Sequence, residues 1–150
     1  ELKHLCFEVH QVCESVCVVT VVQMHVPIAQ CELTRPQMLA PTTNTRLHAQ
    51  AANDADVRSK LGEKGDDYFD FIILDEHLGD ESMLGSELTK QLRQEGCRAV
   101  IIACSGNCLP NDVARYQVAG ANSAWPKPYP STIQMRNDLV RAISANNNRQ

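Results

Sequence analysis

No stretch of this chain stays apolar for the roughly 18 residues that a bilayer-spanning helix requires, so a membrane anchor within it is not expected. No Lys/Arg cluster is present, and the formal net charge of -4 argues against a nucleic-acid-binding surface. Seven cysteines occur, but they lack both the even count and the compact spacing of a disulfide framework. The paired C-x2-C knuckles of a structural zinc site are missing as well. His4, Cys6, His10, Cys13 and Cys17 crowd the N-terminus, and Cys104 and Cys108 flank Ser-Gly-Asn. Their spacing suits small buried side chains in a reducing compartment better than metal ligands. The chain opens at Glu1 with no leader-like stretch, as expected for a segment of a longer cytoplasmic protein. It shows no internal repeat and no interdomain linker, and 150 residues suit one domain with one core.

Within that length, short apolar runs alternate with helical patterns. The β-branched run from Val16 to Val22 predicts a first strand. Pro27 suits a first helical position, and Ile28, Cys31 and Leu33 supply an apolar stripe; Pro36 is awkward inside that helix. Thr45–Ala51 predicts a weaker strand, and 54–61 a short helix stopped by Gly62. Phe71 to Leu74 is a continuous apolar run of strand-forming residues, the signature of a strand buried on both faces. Leu88 and Leu92 stack at i,i+4 in a helix over 86–96. Residues 99–103 give another buried strand, 110–119 a helix closed by Gly120, and 123–125 a short strand. Ser131 can cap a last helix with Met135, Leu139 and Ile143 on one face, and the asparagine-rich tail is expected to fray. Five strands and five helices in this order predict a parallel, doubly wound α/β sheet with helices on both faces.

Asp75 stands at the end of the third strand, at the carboxyl edge where open α/β sheets bind ligands. Ser105 follows the fourth strand and Lys127 the fifth. A carboxylate, a hydroxyl and an ammonium at one rim suit a phosphoryl group. The carboxylate can attack phosphorus, the hydroxyl can bond a phosphoryl oxygen, and the ammonium can neutralise the product's charge.

With ILDEHL around Asp75, Gly85 opening a helix, IIACSGN ending at Ser105 and AGANSAWPKP carrying Trp125 and Lys127, the chain resembles the receiver domains of two-component response regulators. The receiver modules of eukaryotic hybrid histidine kinases are the nearest in character. The resemblance runs from about Val16 to Ile143. It implies a flavodoxin-like (CheY-like) fold with strand order 2-1-3-4-5. The domain spans 16–145, preceded by an extension over 1–15 and followed by a tail over 146–150. It further implies phosphoryl transfer to Asp75 from a histidine kinase or a histidine phosphotransfer protein, at most with self-phosphorylation and autodephosphorylation as catalysis. Lys127 would pair with the phosphoaspartate, and Ser105 would move to a phosphoryl oxygen. Trp125, in the aromatic switch position, would follow inward. The face made by the fourth helix, fifth strand and fifth helix would then change toward an output domain or partner. A cis peptide between Lys127 and Pro128 is also implied.

One family feature is missing. Receivers carry two acidic residues after the first strand to bind Mg²⁺, and here Gln23 and Met24 occupy those positions. Asp75, the backbone carbonyl of His77 and the Gln23 amide are the remaining oxygen donors, while a Met thioether is a poor magnesium ligand. Two alternatives therefore stand beside the phospho-acceptor. One is a pseudo-receiver that binds partners without phosphorylation. The other, more distant, is a phosphatase of the haloacid dehalogenase type, in which His77 would stand where a second Asp is needed.

Overall fold

The computed structural model describes residues 19–24, 45–64, 69–79 and 83–147. The cysteine–histidine cluster before Val19 and the helix expected from Pro27 lie outside these residues, as do the extension over 1–15 and residues 148–150. The elements are β1 (Val19–Met24), β2 (Thr45–Ala51), α1 (Asp54–Lys64), β3 (Phe71–Asp75), α2 (Gly85–Gln94), β4 (Val100–Ser105), α3 (Pro110–Ala119), β5 (Ser123–Pro126) and α4 (Thr132–Asn147). The strands form one sheet in the order β2-β1-β3-β4-β5.

β3, β4 and β5 run parallel, with Asp75 beside Cys104 and Ser105 beside Pro126. Every residue of β3 and β4 is buried, because helices cover both faces of these central strands. On one face Ile72, Leu74 and Ile101 pack with Val57 and Leu61 of α1 and with Leu88 and Leu92 of α2. On the other, Phe71, Ile73, Val100 and Ile102 pack with Trp125 and with Met135, Leu139 and Ala142 of α4. The side chains divide between the faces by period-two alternation.

Strand order matches the sequence expectation, whereas one strand direction does not. β1 is antiparallel to both β2 and β3, with Thr20 opposite Ile73 and Val22 opposite Phe71. A β-branched apolar run specifies a strand and its burial, but it carries no polarity. A sheet parallel throughout is therefore corrected at β1.

Two ends also differ. α1 continues through Gly62 to Lys64, since one interior glycine costs about 1 kcal/mol and need not end a helix. α4 reaches Asn147, and the Asn146 amide bonds the Arg98 carbonyl oxygen at 2.8 Å, so the helix extends past the predicted boundary at 145. Between helices, Arg93 acts as a knot. Its Nη1 donates to the carbonyl oxygens of Cys97 and Ala99, and its Nη2 to Asn122 Oδ1. These bonds tie together the segments that lead into β4 and β5.

Candidate functional site

The carboxyl ends of β3, β4 and β5 are laced into one rim. Glu76 N donates to the Cys104 carbonyl oxygen at 2.9 Å, and Lys127 N donates to that of Ser105 at 2.8 Å. Asp75 is 4% exposed. The Lys127 ammonium donates to its Oδ2 as an ion pair, and His77 N approaches its Oδ1 at 3.3 Å. Asp75 and Lys127, 52 positions apart in sequence, thus meet as the spacing predicted. The Lys127–Pro128 peptide is cis.

Ser105 is at the same rim and buried. Its hydroxyl accepts a bond from Asn107 N at 3.1 Å, so it faces its own loop. Alternation explains this: Ser105 follows the parity of Ala103, and Asp75 that of Ile73 and Cys104.

The same parity corrects the role expected of Trp125. This side chain is 0% exposed and lies in the core under α4, beside Met135 and Leu139. It is already inside, on the face opposite Ser105, and cannot follow Ser105 inward. Ala124, one position earlier, faces the cluster of Ala103, Tyr116 and Ala121.

Gln23 is corrected too. In the antiparallel register Val22 is opposite Phe71, the first residue of β3. Gln23 and Met24 follow, so the backbone carries both away from Asp75 to the other edge of the sheet. Among the described residues no group of three or more His, Cys, Asp or Glu could hold a metal ion. Asp75 and the His77 carbonyl alone fall short of the octahedral oxygen set that Mg²⁺ favours. The described residues do not fit a magnesium site.

Glu76, Ser86, Arg115 and Tyr116, which the sequence did not single out, also surround the rim. Glu76 is 3% exposed. Its carboxylate accepts from Ser86 N at 2.8 Å and Ser86 Oγ at 2.9 Å, and from Arg115 Nη1 at 2.8 Å. Tyr116 is buried, and its hydroxyl donates to the Asn107 carbonyl oxygen at 3.1 Å. Burial pushes the Tyr116 phenol up from its ordinary value; the Ser105 hydroxyl opposes that shift and the Glu76 charge adds to it. The signal available in sequence was the Asp75-Glu76 pair itself, since a second acid after a buried strand demands a partner. Cys108 approaches the Ser105 carbonyl oxygen at 3.7 Å, and burial, with Asp112 adding, pushes its thiol up.

No protein-family model matches this chain, and no curated protein does. Solved structures do. The CheY-like receiver domain protein of Methanospirillum hungatei JF-1 is similar at 18% identity and TM-score 0.53, over 67% of this chain and 75% of that one. The fold here is that of a response-regulator receiver domain. The receiver domain of a modulated diguanylate cyclase from Desulfovibrio desulfuricans G20 is similar at 16% identity and TM-score 0.52, covering 66% of this chain and 74% of that one. A Burkholderia pseudomallei response regulator, solved with a phosphorylated aspartic acid and a calcium ion, is similar at 24% identity and TM-score 0.51, covering 63% and 52%. Within this receiver fold, Asp75 and Ser105 end β3 and β4, and Lys127 directly follows β5. No helix among the described residues is long and apolar enough to cross a membrane.

Proposed function

We propose that this chain is a receiver that accepts a phosphoryl group on Asp75 from a histidine kinase or a histidine phosphotransfer protein in a cytoplasmic phosphorelay. The observation that carries this reading is the ion pair between Lys127 and Asp75 at the carboxyl rim of a receiver fold. A solved relative in fold with a phosphorylated aspartic acid supports it.

In the proposed reaction an Asp75 carboxylate oxygen attacks phosphorus. The P–N bond of the donor phosphohistidine breaks, and its electron pair returns to the imidazole nitrogen. The new acyl phosphate carries more negative charge than the carboxylate it replaces, and Lys127 neutralises part of it. Ser105 turns from Asn107 N to donate to a phosphoryl oxygen. Because Trp125 is fixed core, the response passes to α3, which bears Tyr116, and through the α3-β5-α4 surface to a partner or output domain.

The poor fit to magnesium favours a second reading, a pseudo-receiver that binds partners through the same surface without modification. Mass measurement after incubation with acetyl phosphate separates the two: an acid-stable, base-labile adduct supports the phospho-acceptor, and an unmodified mass supports the pseudo-receiver. Steady phosphate release from simple phosphomonoesters would instead indicate a phosphatase.

A further inference from the structure

Helix α3 is fastened to the site by two consecutive residues. Of its ten residues, Tyr116 is the buried one, while Val118 is 89% exposed and Leu109, at the N-cap, 69%. A helix with one buried side chain gains little from apolar packing, so its few polar ties set its position. Arg93 Nε holds the far end through the Gly120 carbonyl oxygen at 3.0 Å. The other ties reach the rim. Arg115 bonds Glu76, the neighbour of Asp75, and Tyr116 bonds Asn107, two residues beyond Ser105. The Arg115 guanidinium also lies 5.0 Å from the centroid of the Tyr116 ring, so the two ties support each other.

Charge links these ties to Asp75. Asp75 and Glu76 are consecutive carboxylates, 4% and 3% exposed. Each has its own cation, Lys127 from the loop after β5 and Arg115 from α3. Arg115 also faces Asp112, one turn earlier on α3, at 3.8 Å, while the two rim carboxylates themselves are shut away from water. A change of charge at Asp75 therefore alters the potential at Glu76, one residue away, and with it the hold of Glu76 on Arg115. Ser86, donating through both its N–H and its hydroxyl, keeps Glu76 in place when that hold loosens. Arg115 is 48% exposed in its side chain, which leaves the guanidinium open to water on release.

We infer that the Arg115–Glu76 ion pair is a latch through which helix α3 responds to the charge of Asp75. Arg115 and Glu76 are then positioning residues for α3, and neither takes part in phosphoryl chemistry. This deepens the phospho-acceptor reading and rests on it for biological meaning, but the latch is testable without any phosphoryl donor.

The test is backbone hydrogen exchange of α3, with α1 as internal reference, in the full chain. The proteins compared are wild type, Asp75→Asn, Arg115→Gln and the double variant. Arg115→Gln is expected to speed α3 exchange about tenfold, the scale of one charge-assisted bond, and to leave α1 unchanged. Asp75→Asn is expected to shift α3 exchange in the wild-type background and not in Arg115→Gln. Arg115→Lys, which keeps the charge, should restore most of the response. An Asp75→Asn effect that persists undiminished without Arg115 would overturn the latch, as would α3 exchange insensitive to both substitutions. Absence of a phosphoryl adduct in a parallel mass measurement would count against phospho-acceptance alone, since the exchange cycle is read on unmodified protein.

Discussion

Gly85 lies against the backbone of Asp75 so closely that a Cβ built on it would sit 2.1 Å from the Asp75 carbonyl oxygen. Gly85 N also donates to the Glu76 carbonyl oxygen at 2.9 Å. The start of α2 is thereby pressed onto the end of β3, and the two positions cannot move independently. Gly85→Ala should cost about 1–3 kcal/mol through forced backbone displacement. Urea denaturation reads that loss, and His77 and Leu84, which bridge across the same loop, should show the largest amide shift changes.

Lys127→Ala should destabilise the fold more than Asp75→Asn does. The first leaves a carboxylate that is 4% exposed without its cation, at about 2–3 kcal/mol. The second keeps an amide oxygen facing an ammonium whose side chain is 29% exposed and that water can solvate. Paired urea melts of the two variants check the ranking.

Trp125 is the one tryptophan of the chain, so its environment can be read by fluorescence. Because it lies in the core under α4, its emission should be blue-shifted and resistant to iodide quenching. Neither property should change when Asp75 is modified. Trp125→Ala should cost about 3–5 kcal/mol, the usual loss for a large buried aromatic.

Tyr116 adds an alkaline limit to stability. Its phenol is raised from an ordinary value of 10.0, chiefly by burial, so the folded chain holds this proton more tightly than the unfolded chain does. The stabilisation is full below that ordinary value and is lost as pH rises through the folded value. Unfolding free energy should fall above about pH 10, and Tyr116→Phe should flatten the fall. A pH series of urea melts on both proteins measures it.

Much of this arrangement was legible in the residues. The apolar runs ending at Asp75 and Ser105 pointed to buried parallel strands, and the strand order is the one that the resemblance to receiver domains implies. Lys127 reached Asp75 because both follow strands that end at one rim. Three features escaped for physical reasons. The direction of β1 is not encoded in a run of β-branched residues, and with it went the placement of Gln23. Trp125 was read by its residue type, when the parity of Ala124 and Trp125 decides which face each takes. The Glu76–Arg115 tie joins positions 39 apart, and no local pattern connects them.

Phosphoryl acceptance by Asp75 can be read by peptide-level mass measurement. Wild type and Asp75→Asn are each incubated with acetyl phosphate, with and without Mg²⁺, digested at acid pH and mapped. One phosphoryl group per chain is expected on the peptide bearing Asp75, labile in base and absent from Asp75→Asn. An unmodified Asp75 peptide under all conditions would contradict it, as would an adduct that survives Asp75→Asn.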